Sequence, residues 1–279
     1  MKKSLIALSM LLVLSFMLTA CNAVLTTGTT ETASINVPAN DKNTTYDVRL
    51  EPGAATVNVS ANGDGVLQGT VDYNIAQLKP NVYSSGSRVE ISQSNVEGIV
   101  PRNAKNDWQL KLGEGVPMNL TVNTGASKGN WDLGGISLRS LNFSQGAADT
   151  QLNFGQVNPV SLDNFNVNSG AASLKINGMG NANIKNGTLK TGAGKLELSF
   201  DGKLAQNATI NLEGGVSGIT IYSGGNPVQV VREESGLSSI KQGSWSKFGN
   251  NYESPEWASA GGSKVTIYVK IGVGSLELK

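Results

Sequence analysis

Apolar residues spaced two apart on either side of a glycine recur along most of this chain. That alternation predicts strands with one inward face, joined in pairs at tight corners. Counted from the glycine, apolar side chains fall five and three before it and four and six after it. Gly53 has Val48, Leu50, Val57 and Val59, and Gly170 has Phe165, Val167, Leu174 and Ile176. Gly215 has Ile210, Leu212, Ile219 and Ile221, and Gly272 has Ile267, Val269, Leu276 and Leu278. Gly146 has Leu141, Phe143 and Leu152, followed by Phe154. Gly125 follows Leu120 and Val122 and precedes Trp131 and Leu133, which reads as a two-residue slip. Gly192 has Leu189, Leu196 and Leu198, with Gly187 breaking the fourth position.

From Gly125 to Gly215 these glycines are spaced by 21, 24, 22 and 23 residues. A period of that size marks stacked rungs, each too small to bury its apolar face alone. The expected fold is all-β: a right-handed β-solenoid over residues 117–279, with an N-terminal β cap or small β domain over 46–116. The competing reading is an ordinary sandwich with glycine turns; seven matched occurrences favour the solenoid. Between Ala61 and Val116 the period lapses, although Val71, Tyr73, Val89, Ile91 and Trp108 to Leu112 still suggest strands. It lapses again from Arg232 to Gly262, a segment carrying Trp245, Phe248, Tyr252 and Trp257 among polar residues. Residues 21–45, rich in Thr, Ala and Asn, read as a flexible tether, with an edge strand from Ala33 to Val37 as the alternative.

Composition narrows the chemistry. The 279 residues hold 22 basic and 21 acidic side chains, no histidine and one cysteine. Near-neutrality without a basic block argues against nucleic acid as a partner. Without histidine, the commonest general base and metal ligand are both missing. The 34 glycines and the absence of helical periodicity agree with turn-rich β structure.

At the start of the chain, Lys2 and Lys3 precede a short apolar run from Leu5 to Leu18, the layout of a secretory signal over residues 1–20. Leu18-Thr19-Ala20-Cys21 resembles the lipobox of bacterial lipoproteins. The resemblance implies that Cys21 carries a diacylglyceryl group, and two acyl chains suffice for stable anchoring. The expected location is extracytoplasmic, on a bacterial membrane.

The Gly-Ala corners at Thr124-Gly125-Ala126, Ser169-Gly-Ala-Ala172 and Thr191-Gly-Ala-Gly194, with the segment Val265 to Leu278, resemble the toast-rack group of bacterial envelope proteins. That group includes the C-terminal domain of LiaF-like stress-response proteins and proposed adhesins. Leu67-Gln-Gly-Thr-Val-Asp-Tyr73 and Trp108 to Leu112 resemble the N-terminal domain that often precedes this solenoid. The resemblance spans most of residues 46–279 and implies an adhesin-like, structural or envelope-stress role. LiaF-like regulators carry membrane helices ahead of this domain. Here only a lipid anchor is expected, a departure that weighs against signalling.

No catalytic residue, metal site or cofactor is expected. Polysaccharide-acting β-helix enzymes need carboxylates that converge on neighbouring rungs. Asp132, Asp149, Asp163 and Asp201 stand at unrelated offsets from their glycines. The glycine-rich stretches 192–194 and 272–274 lack the spacing and following lysine of a phosphate loop. Trp245, Tyr252 and Trp257 are the candidate contacts for a cell-wall glycan or an envelope protein, since aromatic side chains anchor interfaces. The alternative is that they cap the core.

Overall fold

The structure, a computed structural model, describes residues 24–279 apart from Asn95, Glu97, Glu234 and Ser235. The signal segment and Cys21 therefore lie outside the described residues. Each rung is a pair of arms meeting at a glycine. Strands β2 (Tyr46–Gly53) and β3 (Thr56–Gly63) make one rung, as do β8 (Met118–Thr124) and β9 (Ser127–Asp132), and β10 (Leu138–Gln145) and β11 (Ala148–Asn153). In β12 (Leu162–Asn177), β13 (Ile184–Ser199), β14 (Ala208–Tyr222) and β19 (Val265–Leu278) the strand runs unbroken through the corner. Neighbouring rungs pair in parallel and in register, Leu174 opposite Leu196 and Leu196 opposite Ile219. The inward residues at the four glycine offsets form one continuous buried core from Ile35 to Leu278, with no gap at residue 116.

The stack does not follow chain order. β6 (Arg88–Ser92) and β7 (Asn106–Gly113) lie outside β2 and β3, while β8 and β9 lie on the other side. β15 (Val228–Arg232) and β16 (Leu237–Lys241) pair in parallel with β19, which itself pairs with β14. β19 thus occupies the slot between two rungs that precede it in sequence. Antiparallel strands cover the ends. β4 (Leu67–Tyr73) lies on β7, and β5 (Asn81–Ser85) on β6. At the other end, β17 (Ser246–Phe248) and β18 (Asn251–Glu253) form a hairpin against β15. Such covers protect parallel edges that would otherwise recruit other chains.

Two sequence expectations change. Residues 31–37, read as tether, form strand β1 (Glu31–Val37), antiparallel to β4, with Ile35 and Val37 buried. Alternating polar and apolar positions carried that strand; the Thr-rich composition obscured it. The two-residue slip after Gly125 is absent, because Trp131 stands opposite Leu152 and Gly129 opposite Thr150. A Cβ on Gly129 would lie 2.6 Å from Trp131 Nε1, so the large indole takes the space that its small neighbour leaves. The same holds at Gly187, which sits between Phe165 and Ile210, each within 3.4 Å of where its Cβ would be.

The corners stack backbone on backbone. A Cβ on Gly146 would stand 3.2 Å from the Gly125 carbonyl oxygen, and one on Gly170 2.9 Å from that of Gly146. Just inside, Thr124, Gln145, Ser169 and Thr191 form a buried polar seam, with Gln145 Nε2 donating to Ser169 Oγ at 2.9 Å. Asn158 holds the return loops together. Its Nδ2 donates to the Leu138 carbonyl at 2.7 Å, while its Oδ1 accepts from the Leu138 and Val160 amides.

Candidate functional site

The outward residues of the first arms of β8, β10, β12 and β13 form a flat polar grid. One row is Asn119, Ser140, Asn164 and Asn186; the next is Thr121, Asn142, Asn166 and Thr188. The third is Asn123, Ser144, Asn168 and Lys190. They face outward because the intervening Leu120, Leu141, Phe165 and their neighbours are inward and buried. Strand geometry sets the grid at about 4.8 Å between rows of neighbouring strands and about 6.8 Å along each strand. Asn166 Nδ2 donates to Asn142 Oδ1 at 2.9 Å, so adjacent amides are held in a ladder and one edge of each points to solvent.

Lys190 is the one charge in this grid, and other charges gather at its margins. On the β2 side, Asn119 Nδ2 donates to Asp47 at 2.8 Å and Asn123 Nδ2 to Glu51 at 3.0 Å. The hydrogen bond from Asn123 holds the Glu51 carboxyl below its ordinary value, assisted by Arg49. On the far side Lys190 pairs with Glu213 at 3.2 Å. Amides and hydroxyls at a fixed repeat offer donors and acceptors together, which suits a partner rich in hydroxyls and poor in charge. A groove of about 690 Å³, lined by both polar and apolar residues, crosses the other side near Asn58, Val59, Gln68, Leu110 and Asn130.

The aromatic candidates do not assemble into a contact surface. Trp245 and Tyr252 are each 2% exposed and belong to the core, so neither face is open to a sugar ring. Trp257 is half-buried, and Lys264 Nζ stands 4.6 Å from its ring centroid. Phe248 is the exposed aromatic of this segment. The corner residues Gly53, Gly125, Gly146, Gly170, Gly192, Gly215 and Gly272 do lie at the joints of their rungs. The sequence signal of the polar grid sits two, four and six residues before Gly125, Gly146, Gly170 and Gly192.

The acidic residues of the enzyme alternative do not gather into a cluster, and three of the four accept from nearby groups. Asp132 accepts from the Gly134 amide, Asp163 from Ser161, and Asp201 from the Gly178 amide. Among the described residues no cluster of three acidic, histidine or cysteine side chains could hold a metal ion. None of the helices there is long and apolar enough to cross a membrane.

A family model described as the N-terminal domain of toast_rack, DUF2154, matches residues 26–177. No curated protein matches the sequence. Among solved structures, a proposed cell adhesion protein from Clostridium sporogenes is 19% identical with a TM-score of 0.48, over 90% of this chain and 98% of that one. A proposed adhesin from Bacteroides fragilis is 10% identical with a TM-score of 0.43, over 92% and 100%. A proposed lipid binding protein from Parabacteroides distasonis is 12% identical with a TM-score of 0.45, over 92% and 100%.

Proposed function

This chain belongs to the toast-rack family, and from that premise we propose that it is a non-catalytic, adhesin-like protein of the bacterial envelope. In this reading Cys21 anchors it by a diacylglyceryl group and the solenoid presents a binding face outside the cytoplasm. The partner is a neutral glycan of the cell wall, taken by the grid of Asn119 to Thr188. One observation carries the reading: at two, four and six residues before the corner glycine on four successive rungs, every outward side chain except Lys190 is Asn, Ser or Thr, and the charged Arg139, Asp163 and Lys185 stand at the start of their arms. A core needs inward apolar residues and leaves the outward ones free, so the fold itself does not require this uniformity. Asn in particular is depleted in strands, so seven of them among twelve outward positions are not what strand propensity alone supplies. Hydrogen-bonding rows that repeat with the rungs suit a polymer whose hydroxyls also repeat.

Co-sedimentation of the purified protein with isolated cell walls tests this. The double variant Asn142→Ala/Asn166→Ala removes the central amide ladder without touching the core. Retention lost in the variant, with melting unchanged, is the expected result. Equal retention of both proteins would remove the grid as the binding face.

A further inference from the structure

Five of the ten exposed large apolar side chains among the described residues lie at the N-terminal end of the stack: Val24, Val82, Tyr83, Ile99 and Val100. They are 42–65% exposed. Val24 and Ile99 form a parallel bridge, and the Leu25 amide donates to the Ile99 carbonyl at 3.0 Å. The chain stays fixed beyond that point. The Gly28 amide donates to the Asn74 carbonyl at 2.7 Å, and Asn103 Nδ2 to Thr27 Oγ1 at 3.0 Å. The first described residue is therefore bound to the body of the solenoid rather than spaced from it.

Cys21 precedes Val24 by three residues. Three residues span at most about 11 Å even when fully extended. An acylated Cys21 would hold Val24 within that distance of the lipid, with its bridge partner Ile99 about one strand spacing, ~5 Å, further on. Lys79 and Arg102, both exposed and without an ion pair among the described residues, flank the same end. Lys79 follows Leu78, which lines a cleft with Val96, Val100 and Pro101, and Arg102 follows Pro101 directly. An apolar patch bordered by free cations matches the chemistry of an anionic membrane surface, which attracts Lys and Arg side chains near it.

We propose that the end of the solenoid bearing Val24, Ile99 and Val100 lies directly on the bilayer, with Lys79 and Arg102 against anionic headgroups. The stack then rises from the membrane with its opposite end outermost. This inference rests on the acylation of Cys21. Shallow seating of exposed apolar side chains reaches about 5–10 Å into the headgroup region.

The test uses the lipidated full chain, extracted from membranes and reconstituted in vesicles of phosphatidylcholine with phosphatidylglycerol. Intact mass first establishes whether Cys21 carries the acyl chains; its absence overturns both the anchor and this inference. With acylation present, a fluorophore is placed at Ile99→Cys or, at the far end, at Ser239→Cys. Lipids carrying a quencher near the headgroup should quench the label at 99 and leave that at 239 bright. Quenching at 99 should weaken in the variant Lys79→Glu/Arg102→Glu, and in vesicles of phosphatidylcholine alone. Equal emission from both positions in acylated protein would overturn the apposition while leaving the anchor standing.

Discussion

Trp108 Nε1 donates a 2.9 Å hydrogen bond to Oδ1 of Asn106, two residues earlier on the same strand and the same face. Asn106 is itself buried, and its Nδ2 reaches the Ala54 carbonyl at 2.8 Å and Gln93 Oε1 at 2.8 Å. This amide joins the outermost rung to its neighbour at the corner near Gly53. Asn106→Ala strands the indole N–H and two acceptors in the interior, where one unpaired polar group costs about 1–3 kcal/mol. A loss of about 3 kcal/mol in urea unfolding is expected, and a loss under half of that would show that the network is dispensable.

Leu174 is 3% exposed and stands between Thr150 and Leu196 on adjacent rungs. Leu174→Ala should cost about 2–5 kcal/mol through lost burial and the cavity left behind. Leu174→Asp adds an unpaired charge to that interior and should prevent folding. Circular dichroism and a thermal melt read both. A soluble Asp variant with an unchanged melt would refute the register of the rungs.

Gly194 adopts a φ of +141°, and a Cβ there would meet the Ala172 carbonyl oxygen at 1.9 Å. At Gly125 the nearest backbone oxygen is 3.5 Å from the corresponding point. Gly194→Ala must therefore displace a neighbouring rung, while Gly125→Ala meets only ordinary contact. The first should lower the melting temperature sharply and the second by a few degrees at most. Equal shifts would mean that the stack spreads to accommodate a side chain.

Trp245 and Trp257 should separate stability from binding. Trp245→Ala removes a buried indole and should cost about 3–5 kcal/mol. Trp257→Ala loses a partly exposed ring and its contact with Lys264, so stability should change little and wall retention not at all. Retention abolished by Trp257→Ala in a folded protein would return the binding site to the aromatic segment.

Glu51 has a carboxyl pKa lowered from 4.5 by the Asn123 amide and, secondarily, by Arg49. A depressed folded-state value binds fewer protons than the unfolded chain, so its stabilisation is complete above pH 4.5 and lost as pH falls through the lower folded value. Urea midpoints between pH 3 and 7 should decline on the acid side. Glu51→Gln should flatten part of that decline; an identical curve would assign the acid sensitivity elsewhere.

The inward positions around Gly53, Gly170, Gly215 and Gly272 were legible because each rung repeats its own local alternation. Gly129 and Gly187 were not, since what fills their places is a side chain on the same or a neighbouring strand, chosen by volume rather than by spacing. The order of β15, β16 and β19 was equally hidden. Register within a rung follows from alternation, but which rung sits beside which is decided by contacts far apart in sequence. Trp245 and Tyr252 misled because β17 and β18 have only three residues each, too few to display a period. The polar grid is written in the sequence too, at the positions between the apolar ones before Gly125, Gly146, Gly170 and Gly192.

The placement of β19 between β14 and the β15–β16 rung has a consequence for the order of assembly. In a sequential repeat protein, losing a terminal unit shortens the array and leaves the rest intact. Here, removing residues 265–278 would take out an interior layer and leave two parallel edges facing an empty slot. As a chain grows from its N-terminus, everything through β18 can emerge before that slot is filled. Until β19 is seated, the facing edges of β14 and of β15 and β16 have no parallel partner between them, so this layer closes the C-terminal half as a keystone closes an arch.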